Sequence, residues 1–134
     1  MSELKNIRWK QRFENFKRAH MQLEIALKED TEHNPLFRAA LIQTFEFLFE
    51  LSWKTMNDKL EYEGFALKNP RDVILQALQS EYISDGKAWI GALEMRNALS
   101  HMYDEQISIK AEKMIRVEYS PLFKNLYEYL ENSI

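Results

Sequence analysis

The sequence contains no cysteine, and it has only three glycines and three prolines among 134 residues. Without cysteine the chain has neither disulfides nor thiolate metal ligands, and nothing in it indicates an oxidising compartment. Three widely spaced glycines are too few for a phosphate-cradling loop or a dinucleotide-binding fingerprint. No apolar run reaches the roughly 18 residues that predict a membrane span, and no signal-type apolar core follows residues 1–6. We therefore expect a cytoplasmic location without membrane contact.

The length and the charge balance favour an ordinary globular protein. A chain of 134 residues fits a single domain, residues 1–134, and no linker, internal repeat or low-complexity run divides it. The formal net charge is only −3, but residues 5–18 carry a local excess of five positive charges. This basic stretch is interpreted either as a solvated helix face, which we favour, or as a patch for nucleic acid or an acidic protein.

Long segments with helical periodicity predict an all-α protein. The scarcity of glycine and proline agrees with an antiparallel up-and-down bundle of about five helices. We expect the helices at about residues 5–28, 36–63, from Pro70 onward, from the residue after an Asp85-Gly86 turn to Tyr103, and 109–130. Asn69 should cap the third helix, whose buried stripe should be Val73, Ile74, Ala77 and Leu78. Gly64 should end the second helix, residues 104–108 should break the pattern, and Pro121 should kink or split the last helix.

The second helix is apolar almost all round, which predicts burial on more than one side. Its own bundle would cover one side, and a second subunit could cover another. Two carboxylates, Glu46 and Glu50, share one face of this helix with Lys54 nearby. They are interpreted either as an ordinary ion-pair stripe, which we slightly prefer, or as partners for interface groups or Arg96.

The stretch from Arg96 to Tyr103 is the main candidate for function. It is the one place where a histidine, His101, lies close in sequence to an arginine, a tyrosine and the amide of Asn97. Histidine can transfer protons near neutral pH, and arginine is a permanent cation suited to phosphate. Together they offer phosphodiester chemistry without a metal ion.

The spacing within this stretch bears on how such a site is assembled. Arg96 and His101 are five residues apart, so on one continuous helix they point roughly 140° away from each other. Either the helix unwinds near His101, or two copies of the chain pool their residues across a symmetric dimer. We favour the dimer.

The remaining histidines do not suggest a metal site. His20 and His33 are expected to be packing or surface residues, and no two histidines have metal-ligand spacing. The carboxylates lack an EF-hand arrangement. We therefore predict no metal and no cofactor.

The motif and its flanking blocks resemble a known family. Arg96, four residues, His101, Met102 and Tyr103 are similar to the Arg-X4-His-X-Tyr motif of HEPN domains, specifically the HepT group. These proteins are also called nucleotidyltransferase substrate-binding proteins. Three further blocks are similar and follow in the same order, so the resemblance spans most of the chain: residues 8–13, 45–54 and 70–74.

The resemblance implies a homodimeric toxin that is paired with a minimal nucleotidyltransferase as its antitoxin. By that resemblance Arg96 would hold the scissile phosphate of RNA, His101 would move the proton and Asn97 would orient His101. The partner enzyme would silence this metal-independent endoribonuclease by attaching a nucleotide to Tyr103. The alternative is a non-catalytic subunit that binds substrate or nucleotide for a two-chain nucleotidyltransferase.

Overall fold

The computed structural model describes residues 2–134, and these residues contain helices and no strand. The two longest helices are α1 (Glu3–Ala26) and α2 (Pro35–Tyr62), followed by α3 (Pro70–Gln79) and α4 (Gly86–His101). The last helical stretch comprises α5 (Glu105–Met114), a π-helical turn (Ile115–Tyr119) and α6 (Ser120–Glu131). Since that stretch is continuous, the bundle has five helical segments, and the predicted all-α architecture of about five helices is confirmed.

Four helices begin at an Asn or Asp side chain that accepts a hydrogen bond from a backbone N–H in the first turn, as helix N-caps do: Asn34, Asn69, Asp85 and Asp104. The predicted cap at Asn69 is therefore confirmed. The predicted break between the last two helical segments is present, but it covers residues 102–104 and not 104–108, because Asp104 caps α5 by accepting from the N–H of Ile107 at 2.9 Å. Glu105 in the first turn of α5 adds a favourable charge at the helix N-terminus.

Two helices end at a residue in the left-handed region. Gly64 follows α2 with φ of 104°, which confirms the predicted stop, and the N–H of Phe65 then returns to the Leu60 carbonyl oxygen at 2.9 Å. Glu81 has φ of 64° in the equivalent position after α3, where the N–H of Tyr82 returns to the Ala77 carbonyl oxygen at 2.8 Å. A glutamate thus occupies a position that favours glycine.

An aromatic cluster forms the centre of the core. Trp89 meets Phe123 edge to face with ring centroids 5.5 Å apart, and Phe123 lies 6.0 Å from Phe45. The largest fully buried aromatic side chains come from α1, α2, α4 and α6: Trp9, Phe13, Phe16, Phe45, Phe49, Trp89 and Phe123. This cluster fixes α4, and with it the motif, against α2 and α6.

The structure decides which residues of α3 and α1 are buried where the sequence pattern did not. Leu78, which we expected in the buried stripe of α3, is exposed, because Val73, Ile74 and Ala77 already cover the side facing the bundle. On α1 His20, which we expected to be a packing or a surface residue, is buried, and the neighbouring Met21 is exposed.

The π-helical turn accommodates Pro121 without ending the helix. Proline has no N–H and crowds the preceding turn, so an α-helical register cannot continue through it unchanged. The wider turn lets the N–H of Ser120 bond to the carbonyl oxygen of Ile115, five residues back. The Ser120 hydroxyl donates to the Arg116 carbonyl oxygen at 3.2 Å. The predicted interruption at Pro121 therefore takes the form of a π-helical turn.

A polar cluster ties the connection between α1 and α2 to α5. The Glu112 carboxylate accepts from Arg38 Nε at 2.8 Å, from Arg116 Nε at 2.9 Å and from the Thr31 hydroxyl. Arg116 also donates to the Leu27 carbonyl oxygen at 2.7 Å. Burial alone would raise the pKa of Glu112, but these donors outweigh it and hold the pKa below its ordinary value.

Candidate functional site

α4 presents the motif on its exposed side. Asp85 caps the helix by accepting from the N–H of Ala88 at 3.0 Å, and Trp89, Leu93 and Leu99 anchor its inner side in the core. The helix continues through His101 and ends there, because Met102 adopts an extended backbone. The expectation that α4 reaches Tyr103 is therefore wrong by two residues. The helix unwinds directly after His101, so Arg96 and His101 both keep helical geometry and the unwinding does not bring their side chains together.

Arg96 is the polar group of the motif with the most partners. Its guanidinium pairs with the Glu50 carboxylate of α2, and its other terminal nitrogen donates to Asn97 Oδ1 at 3.3 Å. The Arg96 side chain is partly buried against α2. The expected contact between a carboxylate of α2 and Arg96 is present for Glu50. The ion-pair stripe that we preferred is present only in part, since Lys54 Nζ lies 3.8 Å from Glu50 while Glu46 has no salt bridge within residues 2–134.

Arg96 opens onto a groove between α1, α2 and α4, which we call the Arg96 groove. It has a volume of about 680 Å³, and its lining includes Gln22, Gln43, Glu46, Phe47, Glu50, Arg96 and Ser100. Phe47, on the rim, has 57% of its surface exposed although it is a large apolar residue. Sequence reasoning did not find Gln22 or Gln43, since only the packing of both α1 and α4 against α2 places them in one groove with Arg96.

His101 is not part of this groove. It is exposed at the last turn of α4, and its side chain makes no hydrogen bond with residues 2–134. Since the helix is continuous, His101 points roughly 140° away from Arg96. One chain therefore does not bring the two side chains together.

Tyr103 lies two residues beyond the end of α4. Its side chain is 55% exposed, and its hydroxyl has no hydrogen-bond partner within residues 2–134. By contrast, Tyr82 and Tyr119 are buried, and burial raises the pKa of both phenols. Tyr103 is thus an exposed tyrosine beside the motif.

Glu46 adds a second carboxylate to the Arg96 groove. Partial burial raises its pKa, and the positive charge of Arg96 opposes part of that rise. The positive charge of Arg96 therefore acts on Glu46 without a hydrogen bond, whereas the Arg96 guanidinium donates a hydrogen bond to Glu50.

Acidic residues of α2 offset part of the basic stretch on α1. Arg12 Nε lies 2.5 Å from Asp58, and Lys5 and Arg8 lie 3.9 and 3.7 Å from Glu61. Lys17 similarly lies 3.6 Å from Glu131 of α6. These pairings fit the solvated-face interpretation better than a free patch for nucleic acid.

The other histidines take the structural places that we expected for them. His20 is buried and stacks on Tyr127 with ring centroids 5.3 Å apart, and His33 bonds to Asp30 at the surface. No group of three or more histidine or acidic side chains in residues 2–134 is placed to hold a metal ion. In the same residues, no helix is both long and apolar enough to cross a bilayer.

Comparison with known proteins gives two matches at the level of sequence. A family model described as "Nucleotidyltransferase substrate binding protein like" matches residues 11–132. The "Probable ribonuclease HepT" of Haemophilus influenzae is 34% identical over 73 residues, which are 51% of this chain and 50% of that protein. The match thus spans about half the length of this curated relative.

Solved structures of two bacterial proteins are among those that share the fold. A crystal structure of a Thermus thermophilus protein superposes with a TM-score of 0.77 at 27% identity, covering 86% of this chain and 98% of that one. A Haemophilus influenzae structure, described as the fold of a substrate-binding domain of a nucleotidyltransferase, gives a TM-score of 0.68 at 24% identity. It covers 95% of this chain and 98% of that one, and at this identity it shows the fold alone.

Proposed function

Because this chain belongs to the family of nucleotidyltransferase substrate-binding-like proteins, we propose that it is a HepT-like endoribonuclease that works without a metal ion. The observation that carries the proposal is α4, which holds Arg96, partly buried, and His101, exposed, within two turns of one rigid helix. The resemblance to a relative named as a probable ribonuclease supports the same class of reaction.

The active site is composite and forms between two copies of the chain. α4 is helical through His101, so Arg96 and His101 of one copy diverge. A two-fold axis beside α4 would bring Arg96 of each copy towards His101 of the other. The exposed Phe47 beside Arg96 supplies apolar surface for such an interface.

In the reaction, His101 accepts the proton of the attacking 2′-hydroxyl or donates one to the leaving 5′-oxygen. The 2′-oxygen forms a bond to phosphorus as the bond to the 5′-oxygen breaks, which leaves a 2′,3′-cyclic phosphate and a 5′-hydroxyl. Arg96 stabilises the negative charge that develops on the phosphate oxygens. Asn97, which lies one turn before His101 and already accepts from Arg96, orients His101.

Tyr103 is the position at which a partner nucleotidyltransferase silences the enzyme. Its phenol oxygen would attack the α-phosphorus of a nucleoside triphosphate, and pyrophosphate would leave. The exposure of Tyr103 and the extended backbone after α4 support access by a second enzyme. A bulky, negatively charged nucleotide two residues from His101 would exclude an RNA backbone.

One observation favours a second candidate function. The matching family model describes a substrate-binding protein, not a nuclease. In that function the chain binds substrate or nucleotide for a nucleotidyltransferase and cleaves nothing.

RNA cleavage by the purified protein in EDTA separates the two functions. We expect the unmodified wild type to cut a labelled RNA pool and to leave cyclic phosphates, and Arg96→Ala and His101→Ala to lose this activity. Arg18→Ala and His33→Ala are matched controls, since they remove the same residue types from α1 and from the surface before α2. Absence of cleavage by the unmodified wild type would favour the substrate-binding function.

Intact mass after co-expression with the cognate minimal nucleotidyltransferase tests Tyr103. We expect a gain of one or more nucleoside monophosphates in the wild type and none in Tyr103→Phe. Tyr62→Phe is the control, and a Tyr103→Phe protein that still gains mass would exclude this residue as the acceptor.

A further inference from the structure

Arg96 has a carboxylate partner that the motif itself does not contain. Glu50 lies on α2, 46 residues earlier in the chain, and its carboxylate accepts directly from a terminal nitrogen of Arg96. The side chains of both residues are equally exposed, at 29%, so the pair sits at the edge of the Arg96 groove. The contact joins α4 to the helix that forms the centre of the bundle.

This partner limits how the guanidinium can turn. Glu50 holds one terminal nitrogen of Arg96, and Asn97 Oδ1 accepts from the other at 3.3 Å. An arginine binds phosphate best through two parallel N–H groups of its planar fork, so the orientation of that plane decides how well it binds. Because both terminal nitrogens are hydrogen-bonded, the plane of the Arg96 guanidinium is oriented before any phosphate binds.

Glu50 is itself well held. The neighbouring Phe49 is fully buried, and its ring centroid lies 6.1 Å from that of Trp89. The α2 backbone at this point therefore packs firmly against α4. Lys54, one turn later on α2, lies 3.8 Å from Glu50 and balances its charge. A carboxylate on such a rigid helix can serve as a fixed reference for a flexible arginine.

We propose that Glu50 is a positioning residue that orients the guanidinium of Arg96 for the scissile phosphate. This inference rests on the proposed function of Arg96. It has an unusual consequence, because Glu50 also places a negative charge near the RNA. Removal of that charge should therefore strengthen RNA binding while it slows the reaction.

Glu46 offers a matched comparison. It lies one turn before Glu50 on the same helix, lines the same groove and is close enough to Arg96 for the arginine to affect its pKa. No hydrogen bond joins it to Arg96 among residues 2–134, whereas Glu50 has one. Glu46→Gln therefore makes the same change of charge without removing an anchor of Arg96.

Single-turnover and steady-state RNA cleavage provide the first test. We expect Glu50→Gln to lower kcat about 10- to 100-fold, the range that misplacement of a catalytic group causes, with KM unchanged or lower. Glu46→Gln should likewise leave KM unchanged or lower, but its fold-decrease in kcat should be less than a third of the decrease for Glu50→Gln. Glu50→Asp should have a kcat between those of Glu50→Gln and the wild type. A role in folding alone would not produce this division between kcat and KM. A Glu50→Gln protein with a kcat equal to or above the wild type would overturn the proposal.

Nitrogen NMR of the arginine side chains provides a second test that needs no enzymatic activity. We expect slow rotation and resolved terminal N–H signals for Arg96 in the wild type and in Glu46→Gln. In Glu50→Gln the guanidinium of Arg96 should rotate faster, and its terminal N–H signals should merge into an averaged signal. If the wild type does not cleave RNA, the proposed activity fails while this measurement still decides on Glu50. Unchanged Arg96 signals in Glu50→Gln would show that Glu50 does not orient the guanidinium.

Discussion

Lys59 Nζ lies 4.5 Å from the centre of the Tyr82 ring, inside the protein and not at its surface. The rings of Trp9 and Tyr129 each lie 5.6 Å from the same nitrogen, and Glu63 accepts from it at 2.8 Å. A lysine that is only 7% exposed is thus held by three aromatic rings and one carboxylate. The cluster joins α1, α2 and α6 to the segment after α3.

Lys59→Met should lower the free energy of unfolding by about 2 kcal/mol. Methionine fills similar space, but the cation–π contacts and one of the two hydrogen-bond donors to Glu63 are lost, the other being the Tyr82 hydroxyl. Urea unfolding measures this change. Lys5→Met, which removes a lysine 3.9 Å from Glu61 at the surface, should change stability by less than about 0.5 kcal/mol. Equal effects of the two substitutions would contradict the role of the aromatic cluster.

His20 should make the protein less stable as the pH falls below neutrality. Burial lowers the pKa of His20 in the folded state, with Glu24 opposing the shift and Lys124 adding to it. The unfolded chain then binds a proton more readily than the folded one, so the contribution of His20 is complete above about pH 6.5 and declines as the pH drops through that value. Urea unfolding of the wild type and His20→Phe between pH 5 and 8 measures it.

The difference in unfolding free energy, wild type minus His20→Phe, should decrease towards low pH. Phenylalanine preserves the stack between Phe16 and Tyr127, so packing changes little. An NMR titration of the His20 ring gives an independent check. A constant difference across the pH range would show that His20 titrates alike in both states.

Glu81→Gly should raise the free energy of unfolding by about 0.5–1 kcal/mol. Glu81 has φ of 64°, where a side chain is strained and glycine is not. Glu81→Ala keeps the strain and is the control for loss of the carboxylate. If alanine stabilises as much as glycine does, charge repulsion and not backbone strain is the cause.

Mixing two inactive variants should restore activity if the site is composite. A dimer of one Arg96→Ala and one His101→Ala chain contains one intact pair of Arg96 and His101 and one doubly altered pair. Random exchange makes half of the dimers mixed, so about a quarter of the wild-type activity should return. Cleavage is measured after the two proteins are unfolded and refolded together. No recovery, with dimers confirmed by light scattering, would place both residues of each site on one chain.

The helices were predictable because their signals are local. Apolar periodicity indicated five helical segments, and Asn69 and Gly64 marked a start and an end that the structure confirms. Asp104 carried a similar signal, an acidic cap followed by Glu105, but an apparently irregular apolar pattern obscured it. The helical periodicity of α3 also could not show that Leu78 is exposed, because the burial of Leu78 depends on how wide a face of α3 packs against the bundle.

The surroundings of the motif were less predictable. Sequence pattern placed Arg96, Asn97, His101 and Tyr103 at the end of α4, and their roles stay predictions. The bond between Arg96 and Glu50 joins residues 46 apart, and both an ion-pair stripe and a contact with Arg96 were compatible with the sequence. Only the packing of α4 on α2 decides which partners a side chain meets.

The polar cluster around Glu112 has a consequence for the order of folding during synthesis. Thr31 and the Leu27 carbonyl oxygen meet Glu112 and Arg116 across separations of 81 and 89 residues. When α1 and α2 leave the ribosome, these groups must remain solvated by water, because the residues that bind them have not yet been made. The nascent α1–α2 hairpin therefore gains the Thr31–Glu112 and Arg116–Leu27 bonds only after α5 and the π-helical turn emerge, and until then its apolar faces lack the helices that cover them.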